Sequence, residues 1–242
     1  VEFKNVSLTY SGSGAPSVEG INFKAMKGQT IGVIGGTGSG KSSLVNLIPR
    51  LYDATQGEVL VDGVNVKDYD IEALRNKVGI VMQKAVLFKG TIRENMWMGK
   101  KGATDEQIDE ALEISQSKEF VDSKQGRLDY VIEQGGKNLS GGQRQRLTIA
   151  RAIVRKPDVL ILDDSASALD FATDAALRKA IRGMNNSPTV FIVSQRAASL
   201  MYADLIIVLD DGQVAGMGTH DELLANCEVY KEIYESQFKK AD

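Results

Sequence analysis

The sequence predicts an α/β fold: a core of parallel strands and helices, an N-terminal antiparallel β subdomain and an inserted α-helical subdomain. Three observations predict it. Val1, Phe3, Val6, Leu8 and Tyr10 are spaced among polar residues, the pattern of half-buried antiparallel strands. Short, wholly apolar runs at Thr30–Ile34, Val159–Leu162 and Thr189–Val193 have the character of parallel strands buried on both faces. Between residues 91 and 156 the strand signal fades and helical periodicity replaces it.

The elements follow in order. After the first strand, Ser11 to Pro16 reads as a loop, and a second strand is centred on Ile21 to Phe23. The Thr30–Ile34 run leads into a Gly-rich loop and a helix from Lys41 to about Leu51, with Pro49 near its end. Asp62-Gly63 between Gly57–Val61 and Val64–Val66 predicts a hairpin, because Asp-Gly suits a tight turn with positive φ at both centres. In the middle region Thr104 is a natural N-cap for a helix to Ile114, and a second helix is expected from Gly142 to Arg155. A helix is expected over Asp174–Met184, a last hairpin at Leu205–Leu209, Asp211-Gly212 and Gln213–Ala215, and amphipathic helix from His220 on. The sole histidine, His220, reads as a surface residue.

Composition narrows the function. The chain has 242 residues, enough for one large domain, and its 43% hydrophobic and 25% charged residues are ordinary for a globular protein. A net charge of -3 leaves no basic footprint for nucleic acid. Cys227 stands alone, so no internal disulfide forms, and a reducing compartment suits the composition. No secretory signal opens the chain, and no apolar run approaches the ~20 residues that cross a bilayer. The chain begins with Val1 rather than Met, which suggests a piece of a longer polypeptide.

The strongest chemical signal is Gly35-Gly36-Thr37-Gly38-Ser39-Gly40-Lys41-Ser42, which fits G-x-x-x-x-G-K-[ST] with a strand before it and a helix after. Glycines let backbone N–H groups turn toward phosphate oxygens, and a helix N-terminus adds partial positive charge. Lys41 is placed to reach the β- and γ-phosphates of a nucleotide, and the Ser42 hydroxyl to ligate Mg²⁺; Ser43 adjoins them. A second element, Val159 to Leu162 followed by Asp163 and Asp164, is an apolar strand ending in acid that can bring Asp163 to the metal. Such a loop alone does not name a function, since many nucleotide-hydrolysing enzymes share it.

Leu139-Ser140-Gly141-Gly142-Gln143 narrows the field. It stands between the phosphate loop and the acidic strand, just before a helix, and Ser140 also suits an N-cap. With this run the chain resembles an ATP-binding domain of the ABC transporter family over essentially its whole length, with the P-loop NTPase fold and its RecA-like parallel sheet. The resemblance implies a single domain over 1–242, with 1–90 and 157–242 as catalytic core and 91–156 as signature subdomain. It implies ATP and Mg²⁺ as cofactors, with Tyr10 against adenine and Ser42, Gln83 and Asp163 at the metal. Gln83, in Val81-Met82-Gln83-Lys84, matches the family's Q-loop at a strand end. Ser140, Gly141, Gly142 and Gln143 are implied to face the ATP of a partner domain. Ser167-Ala168-Leu169-Asp170 matches the D-loop, and Gln134-Gly135-Gly136 resembles the exporter-type X-loop. Leu87 to Asn95 resembles exporters whose membrane and ATPase parts share one polypeptide. The implied setting is the cytoplasmic face of a membrane, a bacterial plasma membrane in the first instance. A regulatory ATP-binding module and a soluble, non-transport ABC ATPase are the competing readings.

Two positions depart from the family pattern. Asp164 stands where a catalytic Glu is usual, one methylene shorter, and Gln195 stands where a switch His is usual. Gln can donate a hydrogen bond to a γ-phosphate but cannot carry a proton charge. The pair resembles the degenerate half of a heterodimeric exporter, whose partner keeps Glu and His. The expectation is slow hydrolysis at the chain's own site and an intact signature for the partner's.

Overall fold

A computed structural model describes residues 1–165 and 168–238. They form two compact units, one of Val1–Val78 with the segment from Thr189 on, the other Gly79–Pro188.

The first unit opens with β1 (Glu2–Leu8), β2 (Val18–Lys24), β3 (Thr30–Gly35), α1 (Lys41–Asn46), β4 (Gln56–Val61), β5 (Val64–Asn65) and α2 (Ile71–Lys77). Four of the strands form an antiparallel sheet in the order β2-β1-β4-β5. The apolar residues Phe3, Val6 and Leu8 of β1 are buried as the sequence predicts, but the strand does not alternate strictly: Lys4 and Asn5 both face solvent, Asn5 at φ +49°, and the pairing with β2 shifts register between Phe3 and Val6. Phe3 stacks on Phe23 of β2 with ring centroids 4.5 Å apart. The β4–β5 turn has positive φ at both Asp62 and Gly63, as expected of a two-residue hairpin. Helix α1 is shorter than the sequence suggests. It gives way after Asn46 to i→i+3 bonds, Leu47 N–H to Leu44 O and Ile48 N–H to Val45 O, before Pro49. Proline clashes with the carbonyl four residues back, so the α-geometry cannot run through it.

The second unit begins in β6 (Val78–Val81), whose first residue belongs to the other unit, and continues through β7 (Gly90–Thr91), α3 (Ile92–Trp97), α4 (Asp105–Ile114), α5 (Lys118–Asp122), β8 (Val131–Ile132), α6 (Gly141–Ile153), β9 (Val159–Asp163) and α7 (Phe171–Arg182). Thr91, Thr104 and Ser140 each close a reciprocal capping box with the residue three positions on. The short β7–β8 ladder, α3 and α5 escaped the sequence reading, because two-residue strands and one-turn helices carry too few positions to show a period. Fully buried Asn95 braces the turn before β7: its side-chain amide bonds Phe88 N–H, Phe88 O and Thr91 O, each at 3.0 Å. Helix α7 starts three residues before the expected Asp174, because Asp170 caps it.

The chain returns to the first unit with β10 (Thr189–Val193), β11 (Leu205–Asp210), β12 (Gln213–Gly218), α8 (His220–Asn226) and α9 (Glu228–Phe238). Here β3 lies between β10 and β11, parallel to both, with β12 antiparallel on the outside of β11. β10 is buried at every position, as its unbroken apolar run predicts. Among the described residues no helix is long and apolar enough to cross a membrane.

The C-terminal segment is two helices rather than one, broken at the extended Cys227. His220 is not the surface residue expected from its position. It is half-buried, its Nδ1 lies 2.7 Å from the Tyr230 hydroxyl, and its ring meets Tyr230 and Tyr234. Tyr230 is fully buried, and burial pushes its phenol up to about 12. The folded state therefore favours the protonated phenol. That contribution is complete below the ordinary value of 10.0, where both states are protonated, and is lost as pH rises toward about 12. Stability is expected to fall through this window by up to roughly 2 kcal/mol, and Tyr230→Phe to remove that component. Chemical denaturation of both proteins between pH 9 and 12 checks it.

Candidate nucleotide site

In the first unit β3 ends at Gly35 and α1 begins at Lys41, and the residues between form the loop. Two of its glycines are locked by neighbours. A Cβ at Gly35 would stand 2.1 Å from Leu209 O, and one at Gly40, where φ is +93°, only 2.3 Å from Ser17 O. Gly36 differs: it needs no positive φ, and a Cβ there would meet nothing within 4 Å. With Thr37 and Gly38 it forms an exposed rim, so the loop has an open face that none of the described residues fills. Lys41 Nζ points into that loop, donating to Gly35 O at 2.9 Å and Gly36 O at 2.6 Å, with Ser39 Oγ at 3.5 Å. Ser39 is buried and Ser42 exposed.

Tyr10 lies beyond the end of β1 and outside the sheet core. Its hydroxyl donates to Ser43 Oγ at 3.0 Å, and its ring meets Tyr52 edge-on at 4.9 Å. Gln195 follows β10 and is exposed. The parallel register pairs Val193 with Val33, and Ser194 N–H bonds Val33 O at 3.1 Å, so the Gln195 loop leaves the sheet beside the strand that feeds the phosphate loop.

The second unit carries the other candidates. Buried β9 ends at Asp163, itself 5% exposed. Asp164 follows in the left-handed region, φ +46°, costly for a residue with a Cβ. Gln83 does not end a strand, contrary to the sequence reading. β6 stops at Val81, and Gln83 stands exposed two residues on, its Nε2 donating to Asp164 Oδ2 at 3.3 Å. In the signature run, Ser140 Oγ accepts from Gln143 N–H at 3.2 Å and Gln143 Oε1 from Ser140 N–H at 3.1 Å. Gly141 is exposed with an open face: the nearest atom to a built Cβ is an Arg144 nitrogen at 3.9 Å. At Gly142 the nearest atom is Ala168 O, 3.4 Å away. Of the D-loop candidates, Ser167 lies outside the described residues, Ala168 is exposed and Leu169 buried. Asp170 accepts from the Thr173 N–H at 2.9 Å and hydroxyl at 2.7 Å, bonds that hold its carboxyl below the ordinary range.

The sequence reading missed two arginines of α6. Arg144 donates to Leu139 O at 2.6 Å and to Gly136 O at 3.3 Å, fixing the turn Gln134–Gly136. Arg151, two turns on, donates to Val86 O at 2.9 Å and lies over the Phe88 ring, and burial lowers its pKa. Basic residues seven apart on an otherwise apolar helical stripe were the available signal.

The donor set suits a hard cation only in part. Ser42, Gln83 and Asp163 all offer oxygen, as Mg²⁺ requires. Yet among the described residues no cluster of three His, Cys, Asp or Glu could hold a metal unaided. A metal here needs phosphate oxygens to complete its shell, which is how Mg²⁺ commonly binds with nucleotides.

A Gly-rich loop between a buried parallel strand and a helix, with an antiparallel sheet and a helical segment attached, is the P-loop NTPase fold. The chain belongs to the ABC transporter family, whose model matches residues 18–167. It is 44% identical over 238 residues to YfiB, an uncharacterised ABC transporter ATP-binding protein of Bacillus subtilis, covering 98% of this chain and 41% of YfiB. A Staphylococcus aureus protein, provisionally named a multidrug export ATP-binding/permease protein, is 38% identical over 237 residues, covering 98% of this chain and 41% of that protein. Among solved structures, a bacterial Atm1-family ABC exporter with ATP bound superposes with a TM-score of 0.92 at 32% identity, covering 98% of this chain and 42% of the exporter chain. The chain thus spans about two-fifths of the length of these relatives.

Proposed function

We propose that the chain is the MgATP-binding motor of an ABC exporter. The observation that carries this is the phosphate loop: an open rim at Gly36–Gly38 with the Lys41 ammonium drawn into it. In this reading Gly35, Gly36, Thr37, Gly38, Ser39, Gly40 and Lys41 receive the phosphates. Ser42 and Asp163, with Gln83, hold Mg²⁺, and Tyr10 meets the adenine while Ser43 fixes its hydroxyl. Mg²⁺ held by these residues would supply positive charge against that of the phosphates. The protein's own groups do the rest: loop amides and Lys41 bind, and Gln195 donates to the γ-phosphate edge.

Ser140 to Gln143 then face the ATP of a second ABC domain in a head-to-tail pair, while Ala168, Leu169 and Asp170 carry contacts across that pair. Gly141 supports this, since none of the described residues packs against its open face. A transmembrane part on the same polypeptide, on whose cytoplasmic side this domain sits, agrees with the greater length of the relatives and the permease in one of their names.

The chain's own site hydrolyses slowly. Asp164 is one methylene short of the usual Glu, and the bond it receives from Gln83 commits part of its carboxylate. Catalytic geometry tolerates little misplacement. With the partner's site disabled, turnover of the full transporter carrying Asp164→Glu and Gln195→His is expected to exceed the parent by about a hundredfold, the lower range for a restored acid–base group. The same substitutions with no gain would refute the assignment of these two positions. A regulatory module that only holds ATP is the second reading, favoured by the same pair of residues; any turnover by the parent site when the partner's site is disabled excludes it.

A further inference from the structure

The Gln195 loop is held from two sides. On the sheet side, Ser194 N–H bonds Val33 O, and Arg196 N–H donates to Ser194 Oγ at 3.0 Å. On the other side Gln237 grips it. Gln237, in the last turn of α9, donates from Nε2 to Gln195 O at 2.7 Å and accepts at Oε1 from Ala197 N–H at 2.9 Å. One carboxamide thus reads one acceptor and one donor of the loop backbone, 42 and 40 residues away in sequence. A carboxylate could serve only the N–H, an ammonium only the carbonyl, and an alkyl chain neither.

The helix that carries Gln237 is itself anchored. Tyr230 is fully buried, and Gln237 lies seven residues on, on the same helical stripe. α9 packs against β11 and the turn Ala197–Ser199, and β11 lies beside β3, the strand that ends in the phosphate loop. The C-terminal helix therefore packs on β11, beside the strand that ends in the phosphate loop, and is bonded to the Gln195 loop at Gln237.

We propose that Gln237 is a positioning residue: by clamping the backbone on both sides of Arg196 it sets where the Gln195 side chain stands, and so sets the preference of the site for a nucleoside triphosphate over a diphosphate. This rests on the reading of Gln195 as a γ-phosphate contact. A diphosphate has no γ-phosphate for Gln195 to meet, so loosening the loop costs triphosphate binding alone.

The test measures MgATP and MgADP affinities by calorimetry for the parent, Gln195→Ala and Gln237→Met. Methionine keeps the length and bulk of glutamine and removes both hydrogen bonds, so the helix can still pack. Gln237→Met is expected to weaken MgATP roughly three- to tenfold, less than the tenfold or more that outright loss of a hydrogen bond to a charged group costs, with MgADP unchanged and Gln195→Ala showing a selective loss at least as large. A purely structural role for Gln237 would lower the melting temperature and shift both nucleotides together, or neither. That result, with Gln195→Ala still selective, overturns the clamp. If Gln195→Ala leaves the ATP-to-ADP ratio unmoved, the γ-phosphate contact is wrong and the proposal falls with it. If the parent binds neither nucleotide, the site reading itself fails.

Discussion

Lys41→Ala is expected to weaken MgATP binding by about a hundredfold or more and to abolish turnover at this site. The loop draws the Lys41 ammonium inward, where it faces carbonyl oxygens of Gly35 and Gly36 that a bound nucleotide's phosphates would replace as partners. A charge-assisted bond to phosphate in a partly desolvated loop is worth about 1.5–3 kcal/mol, and loss of two such contacts accounts for the factor. The substitution also unties the loop from its own carbonyls, so a folding defect must be told apart from a binding defect. Gly36→Ala does this. Its Cβ has open space and φ is not positive, so the melting temperature should hold while nucleotide affinity falls. Calorimetry and thermal melts on both variants decide the matter. Affinity within threefold of the parent in Lys41→Ala would remove the ground for reading the loop as a phosphate site.

The parts of this site legible in the sequence are those that local rules dictate. Ser140 caps α6 because a hydroxyl three residues before a glutamine closes a reciprocal box, and the sequence displays both partners. Thr104 and the Asp-Gly turns follow in the same way. What the sequence hid depends on distant partners. Nothing near Gln237 announces that it meets residues 42 and 40 positions back. His220 reads as surface because it lies past the last hairpin, whereas its ring is half-buried against two tyrosines of the next helix. Gln83 read as the end of a strand because Val81 and Met82 are apolar, but the ladder stops at Val81 and leaves Met82 exposed. Asp164 was legible as a departure by type. Its left-handed backbone and its bond to Gln83 were not, since both are set by the turn after β9.

A large effect on stability is expected at a glycine outside every motif. Gly99 follows α3, and a Cβ there would stand 2.0 Å from Arg151 O and 2.8 Å from Val154 Cγ1, both on or next to α6. Its φ is not positive, so an alanine could adopt the local backbone and the entire cost is steric. The obstructing atom is a backbone carbonyl in a helix, which has no rotamer to change, so α3 and α6 must separate. Forcing such a contact costs about 3 kcal/mol or more, at the top of the range for overpacking. Gly99→Ala should therefore melt roughly 6–12 °C below the parent, since 1 kcal/mol corresponds to about 2–4 °C at this size. A second consequence separates this contact from a general loss of packing. Arg151 contributes both the carbonyl that would be struck and the guanidinium that holds Val86 O behind Gln83. Displacing α6 at this turn should loosen residues 83–88, which Arg151 holds at Val86 O, and hydrogen exchange there should rise more than at α4, which also packs on α6. A melting temperature within about 2 °C of the parent would mean the two helices have room that the 2.0 Å approach denies.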